Sequence, residues 1–211
     1  MVHVLAVDVG SVSGKRFRWS AQDEATAGSP DALSRHLQDL LDSGEQVALG
    51  FESPLVLPVP SNCMDLGRAR VGEAQRSWSA SAGASVMGTG LVQLAWLLRS
   101  IVPVAVTTQP GRWNADCPLL LWEAFVSGYF KPDTVDDPHL ADARAAVRGF
   151  LSISDRLLER SRIHVGDHAC FNLAAAAALQ AGASIDVDEI SLPLLVIDGA
   201  RGDTVSSNAT H

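Results

Sequence analysis

The chain predicts a mixed α/β domain: a sheet opened by an antiparallel hairpin, with helices on both sides. Two β-rich runs flank a Gly/Ser turn near the N-terminus, too close together for a helical crossover and therefore antiparallel. Beyond them, short apolar runs alternate with segments at helical spacing. Apolar residues fill 47% of the 211 positions and charged ones 19%, enough for a sizeable core.

The hairpin comes from Val2 to Asp8 and from Lys15 to Ser20, where Arg16 and Arg18 alternate with Phe17 and Trp19. Ser29-Pro30-Asp31 supplies an N-cap, a proline at the first helical position and an acid in the first turn. Leu33, Leu37, Leu40 and Leu41 follow at helical spacing, and Gly44 ends the helix. Gln46 to Phe51 is a strand running into Glu52. Ser61 to Gly90 is rich in Ser, Gly and Ala and predicts a long, partly irregular segment, with Ser77 to Gly90 mobile at the mouth of a cleft.

Leu91 to Ile101 predicts a helix, and Val102 to Thr108 a strand. Leu119 to Val126 predicts a further strand, with Glu123 inside it. Pro138 to Arg160 is a long helical region, kinked near Gly149. Phe171 to Ala181 is an alanine-dominated helix, and Leu192 to Asp198 is a last strand. A single domain over 1–200 is expected, with 201–211 a disordered tail. The Rossmann Gly-x-Gly-x-x-Gly fingerprint is absent.

Cys63, Cys117 and Cys170 are odd in number and far apart, with no Cys-x-x-Cys pair, which argues against a disulfide framework or a thiolate zinc site and for a reducing compartment. The N-terminus runs directly into a strand with no basic region or cleavage site, so the expectation is a cytoplasmic protein without a membrane span. The net charge of −8 repels nucleic acid at long range. A nucleic-acid partner would need a local basic patch. The only clusters are Lys15, Arg16 and Arg18, and Arg68, Arg70 and Arg76, the latter beside Trp78 as a stacking platform.

Four acids have an unusual setting. Asp8 ends the first strand, Glu52 ends a central strand, Glu123 lies inside an apolar run, and Asp167 precedes the alanine helix. Acids at adjacent strand ends would repel one another without a cation, and hard divalent ions such as Mg²⁺ or Mn²⁺ take oxygen ligands of this kind. The four are therefore candidate catalytic metal ligands. Gly10 would let a substrate phosphate approach, and Lys15 would contact it. Taken singly, each acid has a plain structural reading: Asp8 as a turn residue, Glu52 and Asp167 as caps, and Glu123 as a solvent-facing residue of an edge strand.

Val4-Leu5-Ala6-Val7-Asp8-Val9-Gly10, with the Lys15 strand after it, resembles the first hairpin of RNase H-like folds, including RuvC-type resolvases. Glu52-Ser53-Pro54-Leu55-Val56-Leu57-Pro58 is similar to the acid, then Pro-Leu-x-Leu-Pro signature of a group of predicted RNase H-like nucleases. That group usually carries Asp at the position of Glu52. Asp167 ahead of Leu173-Ala174-Ala175-Ala176-Ala177-Ala178 is similar to the start of the superfamily's last helix. A second acid often follows there three residues on, where this chain has Cys170. The resemblance implies metal-dependent phosphodiester hydrolysis of nucleic acid with Mg²⁺ or Mn²⁺. Cys170 favours the alternative, a non-catalytic module that binds a partner or a nucleotide. The hairpin also resembles the start of actin-like phosphotransferases, but no second Asp-x-Gly hairpin opens a later half.

Overall fold

The computed structural model describes residues 1–22, 28–73, 77–101, 103–126, 136–159 and 161–200. The expected tail, 201–211, lies outside the described residues, as does Arg76. The chain forms a three-layer α/β sandwich around a mixed sheet. Strands β1 (Val2–Asp8), β2 (Arg18–Ala21), β3 (Gln46–Glu52), β5 (Val106–Thr107) and β6 (Leu119–Phe125) run in the order β2-β1-β3-β6-β5. Strand β8 (Val196–Asp198) continues the edge that β5 begins, pairing with the far end of β6. Among the described residues of this sheet only β1 and β2 are antiparallel; β1, β3, β6, β5 and β8 are parallel. A separate two-stranded ribbon joins β4 (Val56–Val59) to β7 (Ala169–Asn172).

The period of two along each strand sorts the side chains between the two faces. Leu5, Val7, Val47, Leu49, Phe51, Leu119 and Leu121 enter one core, covered by α1 (Pro30–Asp42), α2 (Ser81–Ser100) and α4 (Leu173–Ala181). Val4, Ala6, Ala48, Leu120, Trp122 and Ala124 enter the other, covered by α3 (Pro138–Ser152). Gly50 is required on that second face. A Cβ there would lie 2.3 Å from the Trp122 ring, which fills the space beneath Phe150.

Helix ends follow their sequence signals. The Ser29 side chain accepts from the Ala32 amide at 3.3 Å, and Gly44, at φ +75°, follows the end of α1. Asn172 caps α4, and Gly182, at φ +84°, closes it.

Several expectations are corrected: α3 ends at Ser152 and not Arg160, Phe171 and Asn172 belong to β7 ahead of α4, and the last strand starts at Val196 and not Leu192. Most of Ser77 to Gly90 is helix, because α2 begins at Ser81. Its small residues allow close docking: a Cβ on Gly90 would lie 2.5 Å from Ser53 Oγ and 3.2 Å from Val9. Composition signalled low helix propensity, and tertiary packing overrides it. Gly149 lets the β8 end pass α3, since a Cβ there would meet the Asp198 carbonyl oxygen at 2.1 Å. The strand expected over Val102 to Thr108 shortens to Val106–Thr107. Helix α2 is long and apolar enough by composition to cross a membrane, yet its Gly90, Leu94, Leu97 and Leu98 are buried in the core of this domain.

Candidate functional site

Asp8 and Glu52 are register partners at the C-terminal ends of the parallel pair β1 and β3. By strand parity both belong to the face that α3 covers. Helix α3 contributes His139 and Asp142, three residues apart and so on one side of the helix. Asp8, Glu52 and Asp142 each offer a carboxylate oxygen, and these atoms all lie within 4.8 Å of one another. His139 Nδ1 lies 2.5 Å from Asp8 Oδ2. Asp8 is 7% exposed and Asp142 5%, so both acids are held in the protein interior.

Electrostatics follow from this crowding. Burial pushes the Asp8 carboxyl up from its ordinary 3.8 to about 6, aided by the charge of Asp142. The charge and hydrogen bond of His139, and a hydrogen bond with Glu52, oppose the rise without cancelling it. The helix that delivers His139 and Asp142 is itself anchored at its start. Asp137 caps α3 by accepting from the Leu140 amide at 3.1 Å, and it accepts from Arg18 Nε on β2 at 2.7 Å.

Glu123 has a different fate. It pairs in register with Phe51, not Glu52, so it faces the opposite side of the sheet. There Arg70 grips it bidentately, Nη1 to Oε2 and Nη2 to Oε1, each at 2.7 Å. The Leu55 amide also donates to Oε2 at 2.7 Å. Arg70 donates as well to Glu73 at 3.0 Å and to the Val56 carbonyl at 3.2 Å. Burial alone would lower the pKa of this guanidinium, and Glu123 and Glu73 outweigh it, leaving it raised. Glu123 is therefore a partner of Arg70 and not a member of the carboxylate group.

Asp167 is exposed in the turn before β7 and is likewise outside that group. Cys170 is buried within β7, and Asn172 caps α4, so neither extends the group. Gly10 serves the chain itself: a Cβ there would meet the Arg16 carbonyl oxygen at 2.5 Å, where the hairpin returns. Lys15 is exposed in that turn, at φ +55°. Three members of the two basic clusters are held in ion pairs, Arg18 with Asp137, Arg68 with Asp65, and Arg70 with Glu123 and Glu73, whereas Lys15 and Arg16 are exposed. Trp78 donates its Nε1–H to the Arg68 carbonyl.

His139 and Asp142 were absent from the sequence-derived set, though a signal for them exists. They stand at the head of the buried α3 stripe that continues through Ala146 and Phe150. Polar residues on a helix's inward face call for a partner. Arg70 carries no comparable signal, lying in a Gly/Ala/Ser-rich stretch without periodicity.

A crevice of about 380 Å³ opens beside Glu52 where β3 and β6 end. Ser81, the first residue of α2, lines it at φ +46°, a left-handed conformation uncommon for serine. No family model matches this chain, and no curated protein or solved structure does either.

Proposed function

We propose that the chain is a divalent-metal-dependent phosphodiester hydrolase of nucleic acid, with Asp8, Glu52 and Asp142 as the oxygen donors. The observation that carries this reading is the convergence of three carboxylates from three elements within 4.8 Å, with Asp8 raised to about 6. Such crowding costs stability unless a cation offsets it, and active sites are where this cost is tolerated. An all-oxygen donor set suits Mg²⁺ or Mn²⁺. Bound there, the ion would supply charge neutralisation at the phosphate and an acidified water.

The chain's own groups fill the other roles. Asp8, between His139 and Glu52, fixes the donor geometry from two strands that cannot shift independently. His139, partly exposed beside Asp8, is placed to hold or pass a proton. Lys15 and Arg16 lie exposed in the turn after Asp8, where they offer the positive charge a phosphate backbone needs. The free cysteines Cys63, Cys117 and Cys170 support a reducing, cytoplasmic setting.

The test is a thermal-shift and cleavage pair. Mn²⁺ at a hundred times its Kd should stabilise the wild type by about 2.7 kcal/mol. Cleavage of a labelled oligonucleotide should require Mg²⁺ or Mn²⁺, and Asp142→Asn should abolish both responses. One observation favours a second reading: the short Asp8–His139 contact already gives Asp8 a partner, as a non-catalytic binding module would need. Absence of both the metal shift and the cleavage in the wild type would establish that alternative.

A further inference from the structure

We infer that the exposed face of α2 is a homodimer interface, on which a second copy of this chain lies with its own α2 antiparallel across Val92. The solvent-facing positions of α2 form one stripe. Ser85, Gly88, Val92, Trp96 and Arg99 are exposed at steps of three and four residues, while Gly90, Leu94, Leu97 and Leu98 hold the opposite side in the core. Val92 is 70% exposed and Trp96 44%, large apolar residues for a helix face left in water.

Two apolar grooves flank these side chains. One, of about 500 Å³, runs toward α4 and is walled by Leu91, Phe171 and Ala176. The other, of about 340 Å³, runs toward Val12, Phe17 and Pro30. Val92 and Trp96 line both, so the apolar patch is continuous across the helix. A second helix laid against Val92 would cover it, at the spacing that ridge-and-groove packing gives.

Charge and shape select a second copy as the occupant. The chain carries a net charge of −8, so one copy repels another over much of its surface. Across α2, α4 and β7 the sequence places one charged residue, Arg99, and no acid, while Asp31 borders the second groove. Like-charge repulsion is therefore small on this face. The same net charge disfavours an anionic bilayer as the cover. The stripe is also self-complementary, as a two-fold interface requires. Turning a second α2 antiparallel about Val92 sets Trp96 of one copy against Gly88 of the other, and Arg99 against Ser85. Nothing lies within 4 Å of where a Cβ on Gly88 would stand, so the indole has room there. The two Arg99 groups then lie about 21 Å apart along the helix axes, beyond the screening length at physiological salt.

Sedimentation equilibrium in EDTA, over a concentration series reaching about 0.2 mM, tests the interface without any metal and so apart from the hydrolase reading. The wild-type mass should rise from 22.3 kDa toward twice that value. Val92→Glu places two carboxylates at the axis and should hold the protein at the one-chain mass with an unchanged circular dichroism spectrum. Met64→Glu, at a similarly exposed apolar residue on the Cys63–Asp65 turn, should dimerise like the wild type. A cross-linking pair serves if Val92→Glu blocks folding. In a Cys63→Ser background, which removes the exposed native thiol, Val92→Cys should join two chains when oxidised with copper phenanthroline, and Arg99→Cys should not. A wild type that stays at the one-chain mass throughout would overturn the proposal. So would a dimer that Val92→Glu leaves intact, or one that Val92→Cys fails to cross-link. Flotation of a monomeric wild type with phosphatidylcholine vesicles would assign the face to a bilayer instead.

Discussion

Two acidic clusters sit on opposite faces of one sheet, at nearly the same height along the strands. On the α3 face, Asp8, Glu52 and Asp142 converge, and His139 lies against Asp8. On the α2 face, Glu123 and Glu73 converge on Arg70. The second cluster is internally neutralised: its carboxylates receive five charge-assisted or amide bonds of 3.0 Å or shorter, from Arg70 and from the Arg70 and Leu55 amides. In the first, burial, with a smaller push from the charge of Asp142, displaces Asp8 upward to about 6. Buried acids matched by a fixed arginine hold structure; a buried carboxyl driven upward by desolvation is a frequent mark of a functional site.

The largest effect that would break this contrast is removal of Arg70. Arg70→Met keeps much of the side-chain volume but strands two carboxylates, each nearly inaccessible, without a cation. Losing one partner of a buried pair costs about 3–5 kcal/mol. Urea denaturation at pH 7 should therefore show a loss of that order, or failure to fold. A loss below about 1 kcal/mol would mean that this cluster is no better matched than its counterpart.

The opposite response is expected at Asp8. Its folded-state value, about 6, lies above the ordinary 3.8 of the unfolded chain. The contribution of this carboxyl to stability is thus fully present below pH 3.8 and is lost as pH rises through 6. The difference corresponds to about 3 kcal/mol. In EDTA, Asp8→Asn should match or trail the wild type at pH 4 and exceed it by about 1–3 kcal/mol at pH 7.5. Parallel stability–pH curves for the two proteins would show that Asp8 is not under electrostatic load.

The contrast also explains which parts of the site were legible. Asp8 and Glu52 stand out because each ends an apolar run whose period places it beside the other. Glu123 looked equivalent because it also interrupts an apolar run. Counting by twos along β6 assigns it, with Leu119 and Leu121, to the opposite face, but only once the register against β3 is known. That register depends on contacts about 70 residues apart, which no local pattern encodes. The hairpin, α1 and the central strands were readable because caps, glycines and periodicity agree there. Helix α2 was half hidden, since Gly83, Gly88 and Gly90 argue locally for a loop. The reason for one of these glycines, the close approach of Ser53 and Val9 to Gly90, is tertiary.

The smallest effect concerns how the α3 face is held. Asp137 caps α3 two residues before His139 and five before Asp142, so it sets the entry of both into the cluster. Its carboxyl is held below the usual range, first by the Arg18 hydrogen bond, and it is partly exposed. The ion pair itself therefore adds little to stability. The cap is worth about 1 kcal/mol, and Asp137→Ala should cost that amount in denaturation. Asp137→Asn keeps the cap acceptor and removes the charge, so it should lose only a few tenths of a kcal/mol. If α3 is the element that positions the third carboxylate, Asp137→Ala should also weaken the Mn²⁺-induced rise in melting temperature, and Asp137→Asn should restore most of it. A metal response untouched by Asp137→Ala would show that α3 is fixed by its packing against the sheet, and that the cap serves stability without serving the site.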